Sequence, residues 1–323
     1  MDDLDRVVTA LRAAPSVAVL AHVHPEGDAV GATLAASQAL REAGKVTGAY
    51  NADPIPPGLS SLPGAGDLLH QVPIAAPYAC YLVLDTSTLE RTGGLLDGRP
   101  ADAVVINVDH HPGNTRFGDL NWVENAASSA GEMVYRILRR GGFPVSGATA
   151  TNLYAAILTD TGGFQYANTT PEALRAAADL VASGVAVEEM AAGLYATRDP
   201  REWLLLSEAL GSLRLEAGGR LAWMEVTLPA QARAGLGLEA TDGFIEYVRA
   251  VRGVEVAVTF KEAAPAEVRV SFRSRGDLDV ARLAGQFGGG GHAKAAGCTL
   301  RESLAEAKTR VLAAAAACLR VRE

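Results

Sequence analysis

Leu4, Val7, Val8 and Leu11 recur every three to four residues, a spacing that predicts an amphipathic helix over residues 2–13. Ser16–Ala21 breaks that rhythm with a short apolar run, the pattern of a strand buried on both faces. Asp28–Ala43 returns to helical spacing and is stopped by Gly44. Val46–Tyr50 predicts a second strand, followed by a proline-rich loop over 54–63; Tyr78–Leu84 and Ala103–Val108 predict two more buried strands. From Ser128 to about Gly211 the pattern is mainly helical, with breaks at Gly141–Gly142, Gly162–Gly163 and Gly184. Strands alternating with helices imply a parallel sheet with helices on both faces.

After about residue 212 the texture changes. Leu221–Val226, Val254–Phe260 and Glu267–Arg273 alternate with period two, as half-buried strands do, and two helices are predicted over Asp279–Phe287 and Ser303–Leu319, on either side of a glycine cluster. The chain therefore reads as two α/β domains, 1–190 and a smaller 212–323, joined by a helical linker over 191–211. A length of 323 residues suits two cores better than one.

Composition narrows the classes. With 49% hydrophobic and 20% charged residues the chain is globular, and its net charge of −8 argues against a protein that coats long duplex nucleic acid. A short anionic substrate held by local basic residues and bound cations stays compatible with that charge. Cys80, Cys298 and Cys318 form neither a disulfide framework nor a metal-type spacing, which points to a reducing compartment and hence the cytoplasm. The first residues are acidic and lack a signal pattern, and no stretch approaches the roughly 18 apolar residues that cross a bilayer, so no membrane association is expected.

The informative feature is where the polar residues fall. His22, His24, Glu26 and Asp28 follow the first strand, Asp85 follows the third, and Asp109, His110 and His111 follow the fourth. In an open parallel sheet, ligands bind beyond the carboxyl ends of the strands. Asp160, at a helix end before Thr161-Gly162-Gly163, is expected to reach the same place. Taken singly these residues have plain readings: Asp28 as a helix cap, Asp85 and Asp160 as turn residues, His24 as a solvated histidine. Jointly those readings fail, because four carboxylates crowded into one crevice repel unless cations neutralise them. Carboxylate and imidazole donors without thiolate favour Mn²⁺, Mg²⁺, Co²⁺ or Fe²⁺ over structural zinc. Two such ions about 3.5–4 Å apart are the usual device for phosphate ester hydrolysis, and Asp85, on a central strand, is the natural carboxylate to bridge them.

With these residues the chain resembles the DHH phosphoesterase family. The match runs His22-x-x-x-Glu26-x-Asp28, Leu84-Asp85-Thr86, Asp109-His110-His111 and Thr159-Asp160-Thr161-Gly162. The resemblance implies that His22, Glu26 and Asp85 hold one metal and that Asp28, Asp85, His110 and Asp160 hold the other, usually manganese. It also implies that His111 faces the scissile phosphate and that Asp109 orients the histidines. Glu26 departs from the family pattern, which has aspartate there, so its longer side chain puts the first site in question. A second signature, Gly288-Gly289-Gly290-Gly291-His292-Ala293-Lys294-Ala295-Ala296-Gly297, resembles the nucleic-acid-binding domain associated with this family. The resemblance assigns substrate binding to Gly289, Gly290, Gly291, His292, Lys294 and the strand residue Arg273; glycine-rich backbone can cradle a phosphate, though it also serves as a plain turn.

Chain length and layout are most similar to NrnA-type members, which degrade short single-stranded RNA to mononucleotides and also dephosphorylate 3′-phosphoadenosine 5′-phosphate (pAp). Asn114, Phe117-Gly118-Asp119 and Ala127-Ser128-Ser129 fit that group. Asn114 and Ser129 join the expected substrate contacts, Ser129 because it opens a helix whose N-terminus suits an anion, with ordinary capping as the alternative. The resemblance suggests a homodimer. Other readings are a RecJ-type single-strand exonuclease, a phosphodiesterase of linear or cyclic dinucleotides, and a non-catalytic nucleotide sensor. The Gly288–Gly297 segment argues against a family II pyrophosphatase.

Overall fold

The computed structural model describes residues 2–73, 78–196 and 199–320. The chain divides into two compact units, Met1–Thr197 and Arg198–Glu323.

The first unit runs α1 (Asp3–Ala13), β1 (Ser16–Leu20), α2 (Gly27–Glu42), β2 (Val46–Tyr50), β3 (Cys80–Leu84), β4 (Val104–Asp109), β5 (Leu120–Val123), α3 (Ala130–Gly141), α4 (Gly147–Asp160), α5 (Pro171–Ala182) and α6 (Val187–Ala191). Its five strands form a wholly parallel sheet in the order β2-β1-β3-β4-β5, so β3 is central. The strand order turns back between β1 and β3, which opens a crevice at the carboxyl ends of the central strands. Alternate strand residues face opposite sides. Val17, Val19, Leu82, Leu84, Ile106 and Val108 pack against helices α1–α5. The other face, with Ala18, Leu20, Tyr81, Val83 and Val105, is closed by Tyr78, Leu95 and Leu96 from the connections between strands. Among the described residues, long helices therefore cover one face and not both, because the β2–β3 and β3–β4 connections carry proline, glycine and short 3-10 turns such as Leu89–Thr92 in place of a helical repeat.

The second unit runs α7 (Pro200–Gly211), β6 (Arg214–Glu216), β7 (Leu221–Val226), α8 (Leu228–Ala234), α9 (Phe244–Arg249), β8 (Val256–Ala264), β9 (Glu267–Ser274), α10 (Val280–Gly285), β10 (Gly290–His292), β11 (Ala295–Leu300) and α11 (Leu304–Arg320). Its mixed six-stranded sheet has the order β10-β11-β9-β8-β7-β6. One face packs Val258, Phe260, Val270 and Phe272 against α10 and α11; over β7 the other face packs Met224 and Val226 against α7, α8 and α9. Where the sequence suggests a linker over 191–211, Leu205, Leu206 and Ala209 of α7 are buried in this second core, so α7 belongs to the second unit. Residues 197–198 of that stretch lie outside the described residues. Among the described residues no helix is long and apolar enough to cross a membrane.

Candidate active site

The buried strands β1, β3 and β4 each end in a turn that delivers polar side chains to one edge of the sheet. His22 follows β1, Asp85 follows β3, Asp109 closes β4 and His110 and His111 follow it. Glu26 and Asp28 open α2, and Asp160 is the last residue of α4. Asp85 adopts a left-handed backbone (φ 52°), a conformation that aspartate tolerates better than most residues.

Asp85 is the hub. Its Oδ2 lies 3.2 Å from His22 Nε2, and its Oδ1 lies 3.4 Å from His110 Nε2 and 3.3 Å from His111 Nδ1. Around it, His22, Glu26 and Asp85 form one group of donor atoms and Asp28, His110 and Asp160 another, each within a span of 4.8 Å. His110 Nε2 stands 3.7 Å from Asp160 Oδ2 and 3.8 Å from Asp28 Oδ2. The ring orientations follow from the far nitrogens. His22 Nδ1 donates to the Val23 carbonyl (2.7 Å) and His110 Nδ1 to the Ala127 carbonyl (3.3 Å), because a carbonyl only accepts. With Nδ1 so engaged, each Nε2 faces the carboxylates and is the nitrogen that a cation would take once any proton there is displaced, the usual preparation of a metal-ligating histidine. Asp85 Oδ1 is buried and accepts no hydrogen bond of good geometry. A buried orphan oxygen between two imidazoles and three further carboxylates fits divalent cations.

The electrostatics point the same way. Burial, joined by the Asp85 and Asp160 charges, pushes the Asp28 carboxyl well above its ordinary range. Burial outweighs His110 and raises Asp160 to about 7. Asp85 goes the other way: against burial, His110, His22 and His111 hold it well below the usual carboxylate range. Conversely, burial disfavours a charged His110, yet Asp85, Asp160 and Asp28 raise its pKa well above the ordinary value. Asp160 therefore binds a proton in the folded, metal-free protein between about pH 4 and about pH 7, where the unfolded chain has lost it. The metal-free protein is expected to lose stability as pH rises through that window, and divalent cations, which displace protons from Asp160 and His110, to bind more tightly. Titration calorimetry in two buffers of different ionisation enthalpy measures the protons released; release of none per bound metal at pH 6 contradicts this.

Two carboxylates carry structural bonds of their own. Glu26 caps α2, its Oε2 accepting from Asp28 N (2.9 Å) and its Oε1 from Ala29 N (2.9 Å). Its Oε1 remains 3.9 Å from His22 Nε2, so the longer side chain still reaches the first donor group. Asp28 caps α3, not its own helix: Oδ2 accepts from Ala130 N (2.6 Å) and Oδ1 from Gly131 N (2.8 Å).

That arrangement corrects Ser129. It is wholly buried, its Oγ accepts from Glu132 N (3.0 Å), and the next two amides of α3 are taken by Asp28. The helix N-terminus thus serves an internal carboxylate, not a substrate phosphate. Asn114 is half-buried and tied into the site. Its Nδ2 donates to Asp109 Oδ2 (2.6 Å), Asn107 Oδ1 (2.9 Å) and the Thr86 carbonyl (3.2 Å), so it supports the site from behind. Asp109 is wholly buried, and its Oδ1 lies 2.8 Å from His111 Nδ1. His24 stands apart, with 76% of its side chain exposed.

In the second unit, Lys294 Nζ donates to the carbonyls of Gly276 and Leu278 and braces the turn after β9. Arg273 Nε donates to Glu246 Oε1 (2.9 Å). Gly289 is required by packing, since a Cβ there would stand 2.1 Å from the Gly297 carbonyl oxygen. Gly290, Gly291 and His292 form β10, the edge strand of the sheet, with one row of its backbone groups turned away from β11.

The residues that the sequence reading missed are asparagines. Asn51 donates to the His22 carbonyl (2.9 Å), Asn125 to the His110 carbonyl (2.9 Å), and Asn168 to the carbonyls of Ser128 (2.9 Å) and Asp160 (3.1 Å) and to Asp160 Oδ2 (3.4 Å). Each clamps the backbone of a residue that faces the cluster. Replacing Asn168 by alanine is expected to weaken divalent-cation binding by about tenfold to a hundredfold while leaving the fold intact. Calorimetric titration with Mn²⁺ checks it; an unchanged affinity would remove Asn168 from the site's support.

This constellation defines a class. Residues 16–185 match the model of the DHH family N-terminal domain and residues 225–321 that of the DHHA1 domain, and the chain belongs to the DHH family of phosphoesterases. It is 37% identical to the bifunctional oligoribonuclease and PAP phosphatase NrnA of Thermus thermophilus, covering 92% of this chain and 88% of that protein. With the protein of the same name from Bacillus subtilis it shares 29% identity over 86% of its own length and 87% of the relative's. An exopolyphosphatase-related protein from Bacteroides fragilis shares the fold, with a TM-score of 0.90, 24% identity and coverage of 99% of this chain and 98% of that one.

Proposed function

We propose that the protein is a divalent-metal-dependent phosphodiesterase that degrades very short single-stranded RNA to mononucleotides and also removes the 3′-phosphate of pAp. The observation that carries this reading is the convergence of His22, Glu26, Asp28, Asp85, His110 and Asp160 on one sheet edge, with Asp85 between the two donor groups. The names of the NrnA relatives supply the substrate class. We assign Mn²⁺ as the metal, a homodimer as the assembly and the cytoplasm as the compartment.

His22, Glu26 and Asp85 would hold one cation, and Asp28, Asp85, His110 and Asp160 the other. Bound there, two divalent cations supply Lewis acidity, a lowered pKa for attacking water and charge to offset that building on the phosphate oxygens. The chain's own part is positioning. Asp109, held by Asn114, fixes the His111 ring so that the imidazole faces the scissile phosphate and hydrogen-bonds its oxygen. Arg273, the glycine hairpin Gly289–Gly291, His292 and Lys294 bind the nucleotide; Lys294 does so indirectly, by bracing the turn beside the hairpin.

The test is a chromatographic assay with Mn²⁺ of RNA of two to five nucleotides, a 24-nucleotide RNA, matched DNA, pAp, and linear and cyclic dinucleotides. Conversion of the shortest RNAs to mononucleotides together with pAp turnover is the expected result. Activity confined to long single-stranded DNA or to cyclic dinucleotides would keep the metal site and overturn the substrate.

A further inference from the structure

The second unit carries basic residues that the roles above leave unused. On β8 and β9, Lys261 lies directly opposite Arg269, and Arg273 stands four residues further along β9. By two-residue alternation the three side chains share one face of the sheet, opposite the core face that holds Phe260, Val268, Val270 and Phe272. Over β7 and much of β8 that shared face is covered by α7, α8 and α9, and α9 also packs on β9, where Glu246 meets Arg273. Around Arg269 of β9 and over β11 it is open: Arg269 and Thr299 are exposed, and Ser271 and Gly297, small residues beside them, are half-buried.

Arg273 is already engaged, by Glu246 of α9, which it shares with Arg249. Lys261 and Arg269 are not. Among the described residues neither side chain makes a hydrogen bond or has a carboxylate within 4.0 Å. Lys261 is half-buried, and burial holds its ammonium below the usual range; the Asp242 charge opposes this while Arg273 and Arg269 add to it. The acidic groups facing this cluster from the packed elements are thus Asp242 and Glu246, against Lys261, Arg269, Arg273 and Arg249. On the same face Thr259, opposite Ser271, is wholly buried with its Oγ1 unpartnered. Like charges gathered on an open face of a chain whose net charge is −8 repel one another, and a bound anion reverses that repulsion.

We propose that Lys261 and Arg269 form a phosphate-binding site on this open sheet face, taking a phosphodiester of a short single-stranded RNA beyond the nucleotide bound at the glycine hairpin. The RNA reading of the preceding section underlies it. The site makes the second unit sensitive to substrate length: a pentanucleotide reaches Lys261 and Arg269, and pAp, a single nucleotide, does not. Ser271 and Gly297, small and half-buried, leave room for the sugar–phosphate backbone between the two grips.

Fluorescence anisotropy of an end-labelled five-nucleotide RNA in EDTA, from 20 to 200 mM salt, tests the site without hydrolysis. The wild-type protein is expected to bind the probe at low salt. K261Q and R269Q should each weaken it several-fold, the double variant about tenfold, and each should flatten the slope of log K against log salt by about 0.7. Turnover of pAp with Mn²⁺ should be unchanged in all three. The proposal is overturned if the wild-type protein does not bind the probe, if affinity and slope are unchanged in the variants, or if pAp turnover falls as far as RNA binding. R269E, an exposed substitution, guards against misfolding and should weaken the probe further. Failure of the catalytic reading would appear separately, as a wild-type protein that binds the pentanucleotide and cuts none of it.

Discussion

Replacing Asp85 by asparagine is expected to lower phosphodiester hydrolysis by about a thousandfold and to abolish the stabilisation that divalent cations confer. The side chain is buried, among the described residues it alone approaches His22, His110 and His111 together, and its Oδ1 has no other hydrogen-bonding role there. An amide of the same size keeps the packing, removes the charge and turns an N–H₂ toward one imidazole. In the wild-type protein, a cation at a hundredfold excess over its Kd adds about 2.7 kcal/mol of stability. For a domain of this size that raises Tm by roughly 5–10 °C. Differential scanning calorimetry with and without Mn²⁺ reads the shift. A D85N variant that keeps both the shift and its activity would overturn the assignment of Asp85 as the shared ligand.

Much of this centre is legible before any coordinates. Continuous apolar runs such as Tyr78–Leu84 admit few readings other than a buried strand, and the polar residues that follow them must lie at one sheet edge. Other parts are written in weaker signals. Leu120–Val123 is four residues with an asparagine inside, too short for a period to appear, so β5 is invisible. Ala295–Leu300 and Gly290–His292 are built of residues with low strand propensity, and their pairing depends on β9 being present. Ser129 marks the right place with the wrong role, because a sequence does not say whether a polar side chain turns toward ligand or toward backbone. Asn51, Asn125 and Asn168 escape for the same reason: a lone asparagine reads as a turn residue, and only tertiary structure reveals which carbonyl it clamps.

The double duty of Asp28 is visible only in three dimensions, and it leads to a prediction that separates two kinds of ligand. Asp28→Ala and Asp160→Ala are both expected to suppress hydrolysis by at least about a hundredfold, since each removes a donor from the same group. Their effects on the metal-free protein should differ. Asp160 has 19% of its side chain exposed, and burial pushes its pKa to about 7, so its ionised form is disfavoured in the metal-free fold; truncation should leave stability unchanged or slightly raised at pH 8. Asp28 is buried and takes the first two amides of α3. Truncation strands two buried N–H donors, at about 1–3 kcal/mol each, and the relief of repulsion from Asp85 and Asp160 offsets part of that. Gly131 shows how tightly this end of α3 is held, because a Cβ there would stand 2.4 Å from Ala156 Cβ, so α3 has little room to shift toward another partner. The amide cost should win, leaving D28A about 2–3 kcal/mol less stable without metal, a fall in Tm of roughly 5–10 °C. Urea denaturation of both variants in EDTA measures the contrast. Equal stabilities would mean that the α3 amides find other partners and that Asp28 acts as a ligand alone.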